Sequence, residues 1–350
     1  MQFTWNNRHH CHQLSETNIG DTITVAGWVD TTRDHGHLLF IHLRDRSGTL
    51  QVVCDENLHP DLYKTSKTLR SEFVVSVTGT LQARSAEAVN AAMQTGTIEL
   101  IATELTILSE AKTPPFMVSE KANEKMDLTV DEDIRLTYRY LDLRRASMQQ
   151  NIVGRSNIIH AMRTVLNDAG FIDIETPFLT KSTPEGARDY LVPSRTHAHK
   201  CFALPQSPQL FKQMLMMSGF ERYYQVARCF RDEDLRPNRQ PEFTQLDLEA
   251  SFVNEADVMG VTEAILKAAF ASMDIAFPDT IERLTYKDAI ETYGTDAPDL
   301  RYDCRFADVT DTFKNCGYKI FNSIANAGGA IKGFTIPGMA STLSKNVLQN

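Results

Sequence analysis

Apolar and polar residues alternate in five short segments near the start of the chain, at 22–29, 37–44, 49–54, 72–81 and 97–108. A period of two predicts β-strands with one buried face. In the second segment the predicted inward positions are Leu39, Ile41 and Leu43, and the outward ones are Phe40, His42 and Arg44. A helical stretch at 61–69 separates the third segment from the fourth.

Five short strands with a helix after the third is the order of an OB-fold β-barrel, and it predicts such a domain at 1–111. The open face of this barrel commonly binds single-stranded nucleic acid. Phe40, outward and beside basic side chains, is suited to stacking on an unpaired base. The alternative for Phe40 is a partly buried strand residue.

Strand alternation ends near residue 110, and the consecutive prolines Pro114 and Pro115 open a segment of mixed charge, which predicts a linker at 112–142. Apolar residues then recur at helical spacing from Ile158 to Ala169, and Gly170 stands where a left-handed cap would end the helix. A strand is predicted at 171–175, just before Pro177.

Between 223 and 252 two alternating segments flank a charged loop, which predicts a β-hairpin. One face of its second arm carries Gln245, Asp247 and Glu249, and the other carries Leu246, Leu248 and Ala250. A polar row beside apolar positions is costly unless it meets a polar ligand, and the arginines of the loop could bind phosphate or carboxylate. The alternative is a solvated hairpin tip.

A helix is predicted to open at Ser207, as N-cap, followed by Pro208. Gln209, Lys212 and Gln213 would share one face of this helix. A second face, formed by Leu210, Met214 and Met217, would pack inward. The preceding segment at 183–194 begins with breakers and charge and then turns apolar, which predicts a loop followed by a strand.

Composition restricts the function classes. The chain has 350 residues, 42% hydrophobic and 23% charged, which indicates two or three globular domains. It shows neither a membrane span nor a secretory leader, so a cytoplasmic location is expected. The net charge of −9 argues against non-specific coating of nucleic acid.

Six cysteines without CxxC spacing indicate reduced thiols, and no metal site is predicted. His9, His10 and His12 around Cys11 are interpreted as part of a mobile N-terminal tail rather than as ligands.

The residues Phe230-Arg231-Asp232-Glu233, followed after a loop by 241–247, PEFTQLD, resemble motif two of the class II aminoacyl-tRNA synthetases. Within that class the chain looks most like the bacterial aspartyl-tRNA synthetases, from about Gly20 to its last residue. The resemblance implies that Arg231 is catalytic and binds the α-phosphate of ATP. It also implies that Glu233 and Gln240 bind ATP and that Asp247 binds the α-amino group of aspartate.

Further roles follow from the resemblance alone. The aspartate site would also include Glu185, Ser207, Gln209 and Lys212, with Lys212 pairing with the substrate side chain. Pro177 would lie at a homodimer interface built by motif one. The anticodon of tRNA would meet Arg33, His35, Phe40 and Gln51, although Thr31 and Thr32 replace the arginines that often precede Arg33 in the family.

The resemblance implies an α+β protein that begins with the OB-fold barrel. An incomplete antiparallel-sheet catalytic domain of class II type would follow at 143–300, and the start of an insertion domain at 301–350. The implied reaction is ATP-dependent activation of L-aspartate and its transfer to tRNA(Asp). Charging of tRNA(Asn) as well is a further hypothesis. Mg²⁺ would arrive bound to ATP, with its protein ligands beyond residue 350.

The third class motif is also expected beyond Asn350, so the 350-residue chain alone is expected to be inactive. Two alternatives remain open at this point. One is a truncated, non-catalytic tRNA-binding fragment. The other is a class II paralogue that uses asparagine or an acceptor other than tRNA.

Overall fold

The computed structural model describes residues 8–119, 130–183, 186–301, 304–339 and 342. The chain forms two compact units, at 1–275 and 276–350. In the described part of the chain, none of the helices has the length and apolar character needed to cross a membrane.

The first unit begins with a closed five-stranded barrel, which confirms the predicted OB-fold. Its elements are β1 Thr22–His35, β2 Leu38–Asp45, β3 Gly48–Asp55, α1 Pro60–Ser66, β4 Val74–Ala83 and β5 Ile98–Ser109. The strand order is β1-β2-β3-β5-β4. Neighbouring strands are antiparallel except β3 and β5, which run parallel and so close the barrel.

Leu39, Ile41 and Leu43 lie in the barrel core, as the alternation predicts. Arg44 points to the outer face, as predicted, but it is buried there rather than exposed to solvent. Its guanidinium forms ion pairs with Asp30 and Glu72, which hold it against the barrel wall.

The N-terminal residues pack on the barrel, and their interpretation as a mobile tail is wrong from residue 8 onward. Cys11 and Leu14 belong to the barrel core. Asp45 at the end of β2 accepts hydrogen bonds from the Cys11 backbone N–H (3.1 Å) and from Arg8 (3.2 Å), and His10 Nδ1 lies 3.3 Å away. Several donors on one buried carboxylate fix this segment in place.

After the barrel come α2 Glu132–Thr137, α3 Arg139–Asp142, α4 Ala146–Asp168 and β6 Ile172–Asp173. Gly170 has φ +78°, the left-handed conformation expected of a residue just past a helix end. The strand predicted at 171–175 is shorter than expected, because only Ile172 and Asp173 pair with the next strand of the sheet.

The rest of the first unit contains β7 Leu191–Pro193, β8 Cys201–Ala203, α5 Gln209–Met217, β9 Arg222–Phe230, β10 Glu242–Ala250 and α6 Glu255–Ala271. Strands β9 and β10 form the predicted antiparallel hairpin. A core between this hairpin and helices α4 and α6 contains Leu166, Tyr224 and Ile265, with Leu246 and Leu248 packed against them. The apolar face of the hairpin therefore packs against these helices.

The second unit contains α7 Tyr286–Tyr293, β11 Ala307–Asp308, α8 Thr310–Phe313, α9 Lys319–Asn326 and β12 Lys332–Gly333. Strands β11 and β12 pair antiparallel.

Candidate functional site

One face of the β9–β10 hairpin carries polar residues from both strands. Asp247 pairs with Gln225, Gln245 with Ala227 and Glu249 with Tyr223. Residues that oppose each other in an antiparallel pair point to the same face. The polar residues of the two strands therefore lie side by side, opposite the buried core.

At the loop end of the hairpin lies a pocket of about 320 Å³. Its lining includes Arg231, Glu233 and Gln240, the three residues predicted to bind ATP. The Arg231 guanidinium carbon lies 5.1 Å from the centre of the Phe243 ring, and the Arg231 backbone N–H donates to Pro241 at 2.8 Å. Strand pairing and the ring together hold this arginine at the pocket wall.

Lys212 of α5 contacts the same face of the hairpin further along β10. Its Nζ lies 2.9 Å from Asp247 Oδ1 and 3.2 Å from Glu249 Oε2. Burial lowers the pKa of Lys212, but the hydrogen bonds and charges of the two carboxylates outweigh burial and raise the pKa above its usual value. Lys212 therefore stays cationic.

The two carboxylate oxygens of Asp247 differ in their contacts. Its Oδ2 is buried and has no hydrogen-bond partner within the described residues. A buried acceptor without a donor is costly, and an ammonium group would satisfy it. This geometry suits the predicted role of Asp247 towards an α-amino group.

Helix α5 differs from its prediction in two respects. It begins at Gln209 with Pro208 as N-cap, so the assignment of Ser207 as N-cap is wrong by one residue. Leu210, Met214 and Met217 are exposed rather than packed inward, with Met217 81% exposed. The cause is geometric: these three positions lie about 140–160° around the helix from Lys212, which faces the sheet. Ser207 and Gln209 are half-buried.

The loop before β7 is anchored to Gln206 and to the end of the hairpin. Gln206, which was not among the predicted site residues, exchanges hydrogen bonds with the Ala187 backbone at 3.2 and 2.8 Å. The Asp232 backbone N–H donates to Arg188 at 3.0 Å. Glu185, predicted to approach the substrate ammonium, lies outside the described residues.

Asp189 fixes the far side of this loop. Its carboxylate accepts from Ser182 Oγ at 2.6 Å and from Gln206 Nε2. Burial raises the pKa of Asp189, yet these hydrogen bonds outweigh it and hold the pKa below its usual value. The carboxylate therefore stays ionised at neutral pH.

The four residues predicted to meet an anticodon share the outer face of β1, β2 and β3. Arg33 pairs with Phe40, and His42 pairs with Gln51. The His35 and Phe40 rings meet edge to face with centres 5.5 Å apart. Arg33 and His35 are exposed, whereas Phe40 and Gln51 are half-buried, so aromatic and polar groups are available together.

Two charged residues on the same face were missed. Glu99 accepts a hydrogen bond from Gln51 Nε2 at 2.8 Å. Arg84, only 7% exposed, donates from Nε to the Ile98 carbonyl, and its Nη2 has no partner in the described part of the chain. Alternation in the fifth segment could have found Glu99, but Arg84 lies beyond the predicted end of the fourth.

Burial lowers the pKa of Arg84, and the charge of Glu99 opposes that effect. Burial also lowers the pKa of His42, with the charge of Arg33 acting in the same direction. The imidazole is therefore neutral at pH 7 and presents a hydrogen-bond acceptor as well as a donor on this face.

Pro177 is exposed and lies four residues after the end of β6. The next two residues, Phe178 and Leu179, are also exposed. Among the residues that the structure describes, no cluster of three or more His, Cys, Asp or Glu side chains is placed to hold a metal ion.

Two family models match the chain. The model of class II tRNA synthetases (D, K and N) matches residues 131–325, and the model of the OB-fold nucleic acid binding domain matches residues 23–108.

Curated relatives are similar over nearly the whole chain. An aspartate–tRNA(Asp/Asn) ligase of Syntrophus aciditrophicus is 50% identical over 98% of this chain and 48% of its own length. An aspartate–tRNA ligase of Agathobacter rectalis is 49% identical over 97% of this chain and 56% of its own length. The chain thus spans about half the length of the curated relatives it matches.

Solved structures share the fold. An aspartyl-tRNA synthetase from Entamoeba histolytica superposes with a TM-score of 0.66 at 24% identity, covering 81% of this chain and 62% of that one. An asparaginyl-tRNA synthetase from Pyrococcus horikoshii, complexed with asparaginyl-adenylate, gives 0.65 at 22% identity, covering 83% and 63%.

Proposed function

The chain belongs to the class II tRNA synthetases of the D, K and N group, and on that premise we propose that it carries the anticodon-binding barrel and the aspartate- and ATP-binding part of an aspartate–tRNA ligase. The predicted domains at 1–111, 112–142, 143–300 and 301–350 are part of this proposal, as is a cytoplasmic location. The observation that carries it is that the Arg231 pocket and the Lys212–Asp247 pair lie on the same face of the hairpin.

In the proposed reaction the aspartate carboxylate attacks the α-phosphorus of ATP, which gives aspartyl-adenylate and pyrophosphate. The terminal hydroxyl of tRNA then takes the aspartyl group and AMP leaves. Arg231 binds the α-phosphate, Glu233 and Gln240 bind the nucleotide, and Asp247 accepts from the α-amino group. Catalysis comes from alignment and charge stabilisation, so no protein nucleophile is required. Mg²⁺ bound to ATP would neutralise phosphate charge.

Preference for aspartate over asparagine rests on Lys212 in this proposal. Asp247 and Glu249 already balance the lysine, so a substrate carboxylate would have to displace one of them. A neutral amide would leave the buried cation less well paired than a carboxylate would, which penalises asparagine. Ser207, Gln209 and Glu185 complete the proposed aspartate site.

The test is calorimetric binding of two non-reactive adenylate analogues, aspartyl- and asparaginyl-sulfamoyl adenosine, to the 350-residue chain. We expect the aspartyl compound to bind at least about tenfold more tightly, and Lys212→Met to abolish that preference. Lys64→Met, on an exposed barrel helix, is the matched control. Equal binding of both compounds by the unmodified chain would contradict the proposal.

A second candidate is charging of both tRNA(Asp) and tRNA(Asn). It is supported by the exposed His35 ring against Phe40, at the edge of the proposed anticodon face. The name of the Syntrophus relative refers to both tRNAs. The two anticodon stem-loops should then bind the chain with affinities within about threefold of each other. A clear preference for the tRNA(Asp) stem-loop would leave only the first candidate.

We also propose that the chain pairs with a second copy through the region of Pro177. Support comes from the exposed apolar side chains of Phe178 and Leu179 beside it. Phe178→Asp should shift the mass measured by light scattering from dimer to monomer. An unchanged mass in that variant would rule out this surface.

A further inference from the structure

Glu72 is a buried acid in a strained backbone conformation. It is 2% exposed and has φ +68°, in the left-handed region that side chains other than glycine rarely adopt. Its backbone N–H donates to Val29 at 2.8 Å. Such strain persists only where surrounding contacts maintain it, and it is often associated with a functional constraint.

The carboxylate of Glu72 joins two arginines that are far apart in sequence. Arg44 of β2 contacts Oε1 at 2.7 Å, and Arg144, between α3 and α4, contacts Oε2 at 2.8 Å. Each oxygen therefore receives a different guanidinium. Arg144 also lies over the Trp28 ring of the barrel, 5.2 Å from its centre.

A second connection lies beside the first. Arg44 also pairs with Asp30, and Asp30 Oδ2 accepts a hydrogen bond from Ser119 Oγ at 2.9 Å. Ser119 and Arg144 come from the two ends of the segment that leads from the barrel to α4. Two acids on the barrel thus bind this segment, Asp30 through Ser119 and Glu72 through Arg144. The positive charges of Arg44 and Arg144 balance the negative charges of Glu72 and Asp30.

We propose that Glu72 is a positioning residue that sets the orientation of the barrel relative to α4 and the β9–β10 hairpin. The inference rests on the proposed function, because the ligand it would serve is a tRNA that contacts both the barrel and the catalytic side. When two contacts are held at a fixed separation, the second forms at a high effective concentration. If this orientation becomes variable, the gain in affinity from the second contact is lost, while the proposed anticodon face of the barrel is preserved.

The first experiment compares two RNAs on the 350-residue chain: the whole tRNA(Asp) and its anticodon stem-loop. With Glu72→Gln, we expect affinity for the whole tRNA to fall by about tenfold and affinity for the stem-loop to stay within about twofold. Glu104→Gln, an exposed position on β5, is the matched control. An equal loss for both RNAs would mean that Glu72 merely stabilises the barrel, and no loss for either would remove the inference.

The second experiment needs no RNA and therefore separates failure of the inference from failure of the proposed function. Trp5→Phe leaves Trp28 as the only tryptophan. Because Arg144 covers the Trp28 ring, Glu72→Gln and Arg144→Met should each raise acrylamide quenching of its fluorescence by about twofold. If quenching is unchanged in both variants, the inference is overturned. If the unmodified chain binds neither RNA, the proposed function fails, and this measurement still decides the role of Glu72.

Discussion

Arg231 is positioned by its backbone and by one aromatic ring. Its N–H pairs with Pro241, and its guanidinium lies over Phe243. An aromatic face orients a guanidinium without occupying its hydrogen-bond donors. The planar donor fork therefore remains suited to two oxygens of one phosphate.

Arg231→Lys should lower the affinity of the chain for ATP by about tenfold or more, because it keeps the charge but removes a bidentate contact of roughly 1.5–3 kcal/mol. Calorimetric titration with ATP measures the effect. Arg228→Lys is the control, since Arg228 lies on the opposite face of the sheet and pairs with Glu242. Equal ATP affinities in the two variants would show that Arg231 does not bind the nucleotide.

The cysteines differ in the pKa and exposure of their thiols, and therefore in reactivity. Burial raises the pKa of Cys229 to about 11, that of Cys54 to about 11 and that of Cys11 to about 12. Cys201 is exposed. Only thiolates react readily with iodoacetamide.

At pH 8 we expect Cys201 to be alkylated at least about 100-fold faster than Cys229, because a raised pKa leaves very little thiolate and burial blocks access. Peptide mapping over a time course measures both rates in the same sample. Comparable rates would mean that the hairpin opens frequently enough to expose Cys229.

Individual elements show which parts of the fold can be read from sequence. The barrel strands were predictable because each has one face in the core. The first strand was predicted to end at Val29 but runs to His35. A register shift between Val29 and Thr31 interrupts the period of two, so alternation cannot follow the strand past this bulge.

Helix α5 shows a different limit. Its pattern correctly separated a face with Lys212 from a face with Leu210, Met214 and Met217, but it could not tell which face meets the sheet. Ion pairing of Lys212 with Asp247 and Glu249 decides this. Glu72 illustrates the same limit, since one of its two ion-pair partners is Arg144, much later in the chain.

The close approach of β1 to β2 at Gly27 gives a prediction about the stability of the barrel. A Cβ on Gly27 would lie 2.3 Å from the Arg44 carbonyl oxygen, whereas a Cβ on Gly48 meets nothing within 4 Å. Gly27→Ala should therefore lower the free energy of unfolding by about 1–3 kcal/mol, the usual cost of overpacking.

Urea denaturation followed by circular dichroism tests this pair of variants, with Gly48→Ala as the control. Equal midpoints would mean that the strands can separate locally to admit the methyl group.

Across the whole first unit, acid stability depends on a few buried carboxylates. Asp142 is buried and paired with Arg135, Arg139 and Arg145. Burial raises its pKa, but these arginines outweigh burial and hold the pKa below its usual value. Asp45 is held low in the same way by Ser47 and the Cys11 backbone.

A depressed folded-state pKa contributes stability above the unfolded value of about 3.9, and that stability is lost as pH falls through the folded value. Thermal unfolding temperature should therefore be flat from pH 8 to about pH 5 and fall below about pH 4. Asp142→Asn should be less stable at pH 7 and show a smaller loss between pH 5 and pH 3. An identical pH profile in that variant would exclude Asp142 from the acid response.

The anchoring of the N-terminal segment has a practical consequence for anyone who wishes to isolate the barrel. The family match begins at residue 23, which would be the natural place to start a shortened gene. Such a version would lack Cys11 and Leu14, two members of the barrel's interior, and would leave Asp45 without three of its donors. An autonomous barrel for RNA-binding work should therefore begin no later than Arg8, with any affinity tag placed before that residue.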